Sequence, residues 1–152
     1  MVKLPPDFRE FLSLFNFHKV EYLVVGGYAV AAHGDPRFTG DLDLWIRCSE
    51  ENATRVLAVC REFGFDVANL RKELFTDPGQ MTRMGQPPLR IEILNSVSGL
   101  VFDDAWKKRT IEARDGLPVH VISLSDLRTN TLASGRLKDL ADLDNLPLPP
   151  QD

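Results

Sequence analysis

The 152-residue sequence has few of the residues that mark several classes of protein. Its two cysteines, Cys48 and Cys60, have neither CxxC nor zinc-ligand spacing, so we expect reduced, partly buried thiols rather than a disulfide or a metal site. The apolar runs are far too short to cross a bilayer, and the N-terminus lacks the basic-then-apolar layout of a secretory signal. We therefore expect a cytoplasmic protein with no membrane partner.

Two further absences concern nucleic acids and phosphates. The net charge of −4 argues against a broad surface for nucleic-acid binding, although contact with an RNA end stays open. The sequence contains neither GxxxxGK[ST] nor GxGxxG, which excludes the two common phosphate-binding loops. Any phosphate site in this chain therefore uses a different type of loop.

The residues that are present indicate an ordinary folded domain. Hydrophobic residues make up 43% of the chain and charged residues 26%, which is typical of a globular protein with its own core. The length suits one domain, so we predict a single domain over residues 1–152 with a Pro-rich tail at 147–152. Strands and helices interleave along the chain, which predicts an α/β (α+β) fold with a single mixed β-sheet flanked by helices.

Apolar periodicity and turn residues place the individual elements. Ser49 is the predicted N-cap of the third helix and Gly64 its end, whereas Thr76 to Gly79 is predicted as a turn. The helices are predicted at 7–17, 28–33, 49–63, 102–108, from 123 or 125 to 133, and 138–146. The strands are predicted at 20–25, 41–47, 81–84, 89–94, 110–113 and 119–122.

A glycine pair marks the first candidate functional element. Gly26 and Gly27 end an apolar strand and open a short helix, so the backbone there can come very close to a ligand. The exposed N–H groups and the helix dipole favour an anion at such a position. Alone the pair is a weak indication, because many strand-to-helix turns use glycine only for geometry.

Two aspartates in the next strand mark the second element. Asp41 and Asp43 are two residues apart, so both carboxylates point to the same side of the strand. Like charges that close repel unless a cation lies between them, and hard oxygen ligands suit Mg²⁺ or Mn²⁺. The alternative is the solvated face of an edge strand. Trp45 shares this face and could stack on a base or pack at the rim of the core.

Glu92 supplies a third carboxylate, on the polar face of the strand predicted at 89–94. If that strand neighbours the strand of Asp41, three carboxylates converge. Three acidic ligands could bind two metal ions that act on both oxygens of a phosphoryl displacement. The alternative for Glu92 is a salt bridge with Arg90 or with a helix lysine.

Together these residues resemble the nucleotidyltransferase superfamily, which has the polymerase β-like fold. The resemblance is to small stand-alone members related to AbiEii-type toxins and to aminoglycoside and lincosamide nucleotidyltransferases. It covers roughly residues 20–146. The residues that carry it are Gly26-Gly27, the segment Arg37-x-Thr39-x-Asp41-x-Asp43, Glu92, and the segment from Ser123 to Leu143 with its Gly135-Arg136-x-Lys138-Asp139 block.

The resemblance implies an activity and its participants. A nucleoside monophosphate would move from a nucleoside triphosphate to a hydroxyl acceptor, which could be an RNA end, a protein side chain or a small molecule. Mg²⁺ or Mn²⁺ would be the cofactor. A cognate toxin or antitoxin protein, or a role in phage defence, is also implied as a possible setting.

The resemblance also implies roles for individual residues. Arg37 and Lys138 would neutralise phosphate charge, although Arg37 could instead pair with Asp35 or Asp41, and Lys138 could simply begin the last helix. The implied catalytic and metal-binding residues are Asp41, Asp43 and Glu92, and the implied nucleotide-binding residues are Gly26, Gly27, Arg37, Thr39 and Lys138.

Two departures from the family pattern leave an alternative function open. Active relatives usually have aspartate at the third acidic position, and the extra methylene of Glu92 moves the carboxylate by roughly 1.5 Å, which matters because Mg²⁺ demands near-octahedral geometry. A lysine that relatives often carry is absent from the stretch Thr129 to Leu132. The alternative is a nucleotidyltransferase fold without turnover that acts as a binding module through a partner protein.

Overall fold

One mixed β-sheet with helices packed on it forms the framework of the protein. The computed structural model describes residues 4–34, 40–65, 70–86, 88–135, 143 and 146–147. The strands are β1 (Tyr22–Val25), β2 (Asp41–Ile46), β3 (Met81–Gln86), β4 (Leu89–Leu94), β5 (Thr110–Arg114) and β6 (Leu117–Val121). The helices are α1 (Pro6–Phe17), α2 (Gly26–Ala32), α3 (Glu50–Phe63), α4 (Glu73–Thr76), α5 (Phe102–Lys107) and α6 (Leu124–Ser134).

The six strands are ordered β3-β4-β2-β1-β6-β5 across the sheet. β2 runs antiparallel to β1 and parallel to β4, and β6 runs parallel to β1. The pairs β3–β4 and β5–β6 are antiparallel. The mixed sheet flanked by helices is therefore confirmed. Because β2 is paired on both sides, the edge-strand alternative for Asp41 and Asp43 is wrong.

Most elements predicted from the sequence pattern are present, with ends shifted by one or two residues. α4 was missed, because a single turn of helix is too short to show helical periodicity, and its last residue, Thr76, was assigned to a turn. The strand predicted at 81–84 extends to Gln86. The Asp35-Pro36 turn lies outside the described residues, as does most of the helix predicted at 138–146.

The alternation of β2 determines which face carries the carboxylates. Leu42, Leu44 and Ile46 are completely buried in the core, where residues of α1 and α3 also pack. Because successive strand residues point to opposite faces, Asp41 and Asp43 point away from these three buried side chains. Within the described residues, no helix is both long enough and apolar enough to cross a membrane.

Asn52 fastens the start of α3 to the sheet. Ser49 caps the helix as predicted, since its hydroxyl accepts the N–H of Asn52 at 3.2 Å. The Asn52 side chain is 2% exposed and accepts the N–H of Glu21 at 2.8 Å. Its amide also donates to the carbonyls of Glu21 and Arg47, at 3.1 and 2.9 Å. One buried amide therefore joins the approach to β1, the end of β2 and α3.

Asn52→Ala is expected to lower the free energy of unfolding by about 2–3 kcal/mol, because it leaves the N–H of Glu21 without its acceptor. The two carbonyls each keep a backbone donor, which limits the loss. Urea denaturation followed by circular dichroism measures the effect. Ser49→Ala is the control and should cost about 1 kcal/mol through the lost cap. Equal losses in the two variants would contradict this role of Asn52.

Candidate active site

A row of register partners crosses four neighbouring strands at the site. Val25 on β1 lies opposite Asp43 on β2, Asp43 lies opposite Glu92 on β4, and Glu92 lies opposite Arg83 on β3. Adjacent strands are about 4.8 Å apart, so the row places these backbones side by side. Gly26 follows Val25 directly. The strands of Asp41 and Glu92 are therefore neighbours, which meets the condition on which a convergence of the three carboxylates depended.

Gly26 packs against the Asp43 side chain. Its φ is +67°, in the left-handed region that favours glycine, and a Cβ built on it would overlap Asp43 Oδ2 and lie 3.1 Å from Asp43 Cγ. Both conformation and space therefore require glycine here. The backbone at the glycine pair does approach a functional group closely, and that group is a carboxylate of the same chain.

Asp41 forms a bidentate ion pair with Arg90 of β4. Arg90 Nε lies 3.1 Å from Oδ1, and the second guanidinium nitrogen lies 3.2 Å from Oδ2. The hydrogen bond with Asp41 raises the pKa of Arg90. Planar guanidinium groups match carboxylates in this geometry. Arg90 therefore balances the charge of Asp41, whereas the sequence had suggested it as a partner for Glu92.

Glu92 is held by Arg83, a residue that sequence reasoning missed. Arg83 Nε donates to Glu92 Oε1 at 2.9 Å. The Glu92 side chain is 13% exposed and that of Arg83 is 47% exposed, so a sheltered carboxylate faces a solvent-accessible cation. The salt bridge foreseen for Glu92 exists, but with an arginine from an edge strand. The short apolar pattern of β3 carried no information about its register with β4.

The donor set suits a hard divalent cation, although three carboxylates do not gather into one cluster. Carboxylate oxygens are the ligands that Mg²⁺ prefers. Within the described part of the chain, however, no group of three His, Cys, Asp or Glu side chains is arranged to hold a metal ion. Instead, Arg90 forms an ion pair with Asp41, and Arg83 forms an ion pair with Glu92. A cation held by Asp41 and Asp43 would therefore have to displace Arg90 from Asp41, and Glu92 could join once Arg83 moves away.

A cavity of about 740 Å³ opens over this row of residues, which is large enough for a nucleotide-sized ligand. It brings together five of the predicted site residues, while Arg37, Thr39 and Lys138 lie outside the described residues. The cavity is lined by the glycine pair, residues of β2, β3 and β4, a loop after β4, and one side of α6: Gly26, Gly27, Asp41, Asp43, Met81, Arg83, Arg90, Glu92, Leu94, Ser96, Val97, Ser98, Leu127, Asn130, Thr131 and Ser134, with Val25 and Val30 beneath.

The α6 wall was not foreseen from the sequence. Ser123 caps this helix by accepting the N–H of Asp126 at 3.2 Å, which sets its direction over the cavity. Asn130 joins the helix to the loop after β4, since its amide donates to the carbonyl of Ser98 at 3.0 Å. The amide and hydroxyl groups of this wall donate to backbone carbonyls, which fixes their positions at the side of the cavity. The only signal in the sequence was the run of small polar residues at helical spacing.

Trp45 belongs to the core rather than to the cavity. Its side chain is 2% exposed and meets the Phe102 ring edge-on, with ring centroids 5.1 Å apart. Of the two readings of this residue, stacking on a base is therefore wrong and packing is correct. On the face of β2 that carries Asp43, the polar part ends where the cavity ends, and Trp45 lies beyond it in the core.

Comparisons with known proteins agree with this architecture at the level of the fold. No family model matches the sequence, and no curated protein does. A protein from Thermotoga maritima assigned as a nucleotidyltransferase is 19% identical, with 90% of this chain and 88% of that chain covered at a TM-score of 0.64. The lincosamide antibiotic adenylyltransferase LnuA, solved with lincomycin bound, is 15% identical, with 94% and 96% covered at a TM-score of 0.60.

A third structure extends the similarity to a fungal protein. An antigenic nucleotidyltransferase-like protein from Paracoccidioides brasiliensis is 18% identical, with 95% of this chain and 77% of that chain covered at a TM-score of 0.56. These similarities span nearly the whole chain and agree with the mixed sheet and the order of its elements. The protein therefore has the nucleotidyltransferase fold, as the resemblance of its motifs implied.

Proposed function

We propose that the protein is a metal-dependent nucleotidyltransferase. It binds a nucleoside triphosphate, transfers the nucleoside monophosphate to a hydroxyl acceptor and releases pyrophosphate. The observation that carries this proposal is the alignment of Asp43 and Glu92 on adjacent strands, with Gly26 at the start of α2 packed against Asp43, along the floor of one nucleotide-sized cavity. Support comes from the shared fold, because LnuA is itself an adenylyltransferase.

The glycine pair and the two aspartates have different roles in the proposed reaction. The backbone N–H groups at Gly26 and Gly27 bind the triphosphate, because they lie at the start of α2 in the cavity lining and a helix N-terminus favours an anion. Asp41 and Asp43 hold Mg²⁺ or Mn²⁺, which when bound neutralises charge on the transferring phosphoryl group. Arg37, Thr39 and Lys138 stay predicted nucleotide contacts.

Glu92 is the general base for the acceptor. Its carboxylate takes the hydroxyl proton while the acceptor oxygen forms a bond to the α-phosphorus. The bond from the α-phosphorus to the bridging oxygen breaks, and pyrophosphate leaves with that oxygen. Because Arg83 holds Glu92 at 2.9 Å, the base becomes available when this ion pair opens.

The transfer of label from α-labelled ATP, GTP, CTP and UTP tests the proposal. Each triphosphate is incubated with Mg²⁺ and with total RNA, total protein, a small-molecule extract or the enzyme alone. We expect one nucleotide to label one acceptor class, with release of pyrophosphate and loss of labelling in EDTA. An RNA, protein or small-molecule product identifies the acceptor. Failure of every triphosphate to label any acceptor would contradict the proposal.

A second candidate is a binding module with the same fold but without turnover. It is favoured by the ion pairs that engage Asp41 and Glu92, and by glutamate at the third acidic position. The module would bind nucleotides weakly and act through a co-purifying partner, such as a cognate toxin or antitoxin protein. Calorimetry with the four triphosphates distinguishes the enzyme from the binding module. Only the enzymatic proposal predicts that one nucleotide binds tightly and that its binding requires Mg²⁺.

A further inference from the structure

The sheet register fixes where the acceptor lies relative to the nucleotide. The order across the strands is Val25, with Gly26 directly after it, then Asp43, Glu92 and Arg83, from the centre of the sheet to edge strand β3. Given the proposed function, on which this inference rests, the triphosphate lies at the glycine end and the acceptor hydroxyl lies at Glu92. The rest of the acceptor then extends over β3, beside Arg83.

The surface on that side of the cavity carries partly exposed arginine and methionine side chains. Arg83 and Met81 are about half exposed, at 47% and 48%. Because Arg90 already pairs with Asp41, the half-exposed Arg83 is the group on this side of the cavity that can reach an anion. We call this surface the acceptor floor, which consists of Met81, Arg83, Arg90, Glu92 and Leu94.

We propose that the acceptor is a hydroxyl compound that carries a phosphate, and that Arg83 binds this phosphate. A guanidinium group matches phosphate as it matches carboxylate, through parallel N–H bonds. A phosphate that takes Arg83 withdraws it from Glu92. The carboxylate is then free to accept the proton of the neighbouring hydroxyl, so the correct acceptor releases the base that acts on it.

The cavity also carries the carboxylates of Asp41 and Asp43, so the expected phosphate preference depends on Arg83 itself rather than on a net positive charge. A purely structural role explains less, because a half-exposed ion pair contributes little to stability. A sugar phosphate and the 3′ end of an RNA both carry a hydroxyl near a phosphate, so both sources fit.

The test compares ribose 5-phosphate with ribose as calorimetric ligands, in the presence of a non-hydrolysable triphosphate and Mg²⁺. We expect the phosphate to strengthen binding to the wild-type protein, and Arg83→Gln to reduce this preference about tenfold, through loss of a charge-assisted hydrogen bond. Arg83→Lys should retain part of it. A short oligoribonucleotide with a free 3′-hydroxyl is the second ligand, and the tighter of the two identifies the source.

Arg55→Gln is the matched control, since Arg55 is 36% exposed and forms an ion pair with Glu51 on α3, and it is not among the cavity residues. It should leave the phosphate preference unchanged. A preference of equal size in wild type and Arg83→Gln, or no preference in the wild type, would overturn the inference. Because only binding is measured, absence of label transfer would count against the proposed function and not against this result.

Discussion

Asp43→Asn is expected to slow label transfer from the preferred triphosphate by at least roughly a hundredfold, because it removes a charged ligand of the proposed metal ion, which would stabilise the negative charge that develops on the transferring phosphoryl group. Asp43 lies between the glycine pair and Glu92 in the row across the sheet. Asparagine has nearly the same shape, so its packing under Gly26 is retained. Transfer rates at saturating triphosphate, together with thermal unfolding, separate lost chemistry from lost structure.

Asp41→Asn should act in the same direction through the second metal-binding carboxylate. The control is Asp115→Asn, in the turn between β5 and β6. Asp115 is exposed and has a φ of +52°, a conformation that asparagine tolerates well, so this variant should transfer label at the wild-type rate. Equal labelling by wild type, Asp41→Asn and Asp43→Asn would contradict the enzymatic proposal.

The sequence predicts the carboxylates of the site better than it predicts their partners. Alternation in β2 and β4 is a local property, so the side of each strand that carries Asp43 or Glu92 can be inferred from spacing alone. The adjacency of these strands was only a condition in that inference, and the register Asp43 opposite Glu92 confirms it.

The arginines show why the rest of the site was not predictable. Arg83 reaches Glu92 because β3 pairs antiparallel with β4 in one particular register, which is a non-local property of the sheet. Arg90 was considered for Glu92, two residues away, yet it pairs across strands with Asp41. Spacing identifies the face of a strand, whereas a choice between two acceptors on that face depends on side-chain geometry.

The fold was predictable for a similar reason. Helices α1 and α3 show clear periodicity or caps, and the predicted Ser49 cap and Gly64 end are both present. The four residues of α4 make one turn, which is too short for a helical period to repeat. The α6 wall was missed as part of the site because its position over the cavity depends on packing between elements far apart in the sequence.

Gly26→Ala is expected to reduce label transfer by about a hundredfold, because displacement of catalytic groups by about 1 Å can cost that much. A Cβ at Gly26 would overlap Asp43 Oδ2, so the carboxylate must move for the methyl group to fit. The positive φ of +67° adds a backbone cost of about 1–2 kcal/mol to the free energy of unfolding. Transfer kinetics and urea denaturation measure the two effects separately.

Gly116→Ala separates the backbone cost from the steric one. Gly116 has a φ of +80° in the β5–β6 turn, and no atom of the described chain lies within 4 Å of a Cβ built there. This variant should lose a similar amount of stability and keep the wild-type transfer rate. A wild-type transfer rate in Gly26→Ala, or an equal loss of transfer in both variants, would contradict a specific contact between the glycine loop and Asp43. The expected contrast would mean that the glycine loop, which we propose binds the triphosphate, also fixes the position of the Asp43 carboxylate.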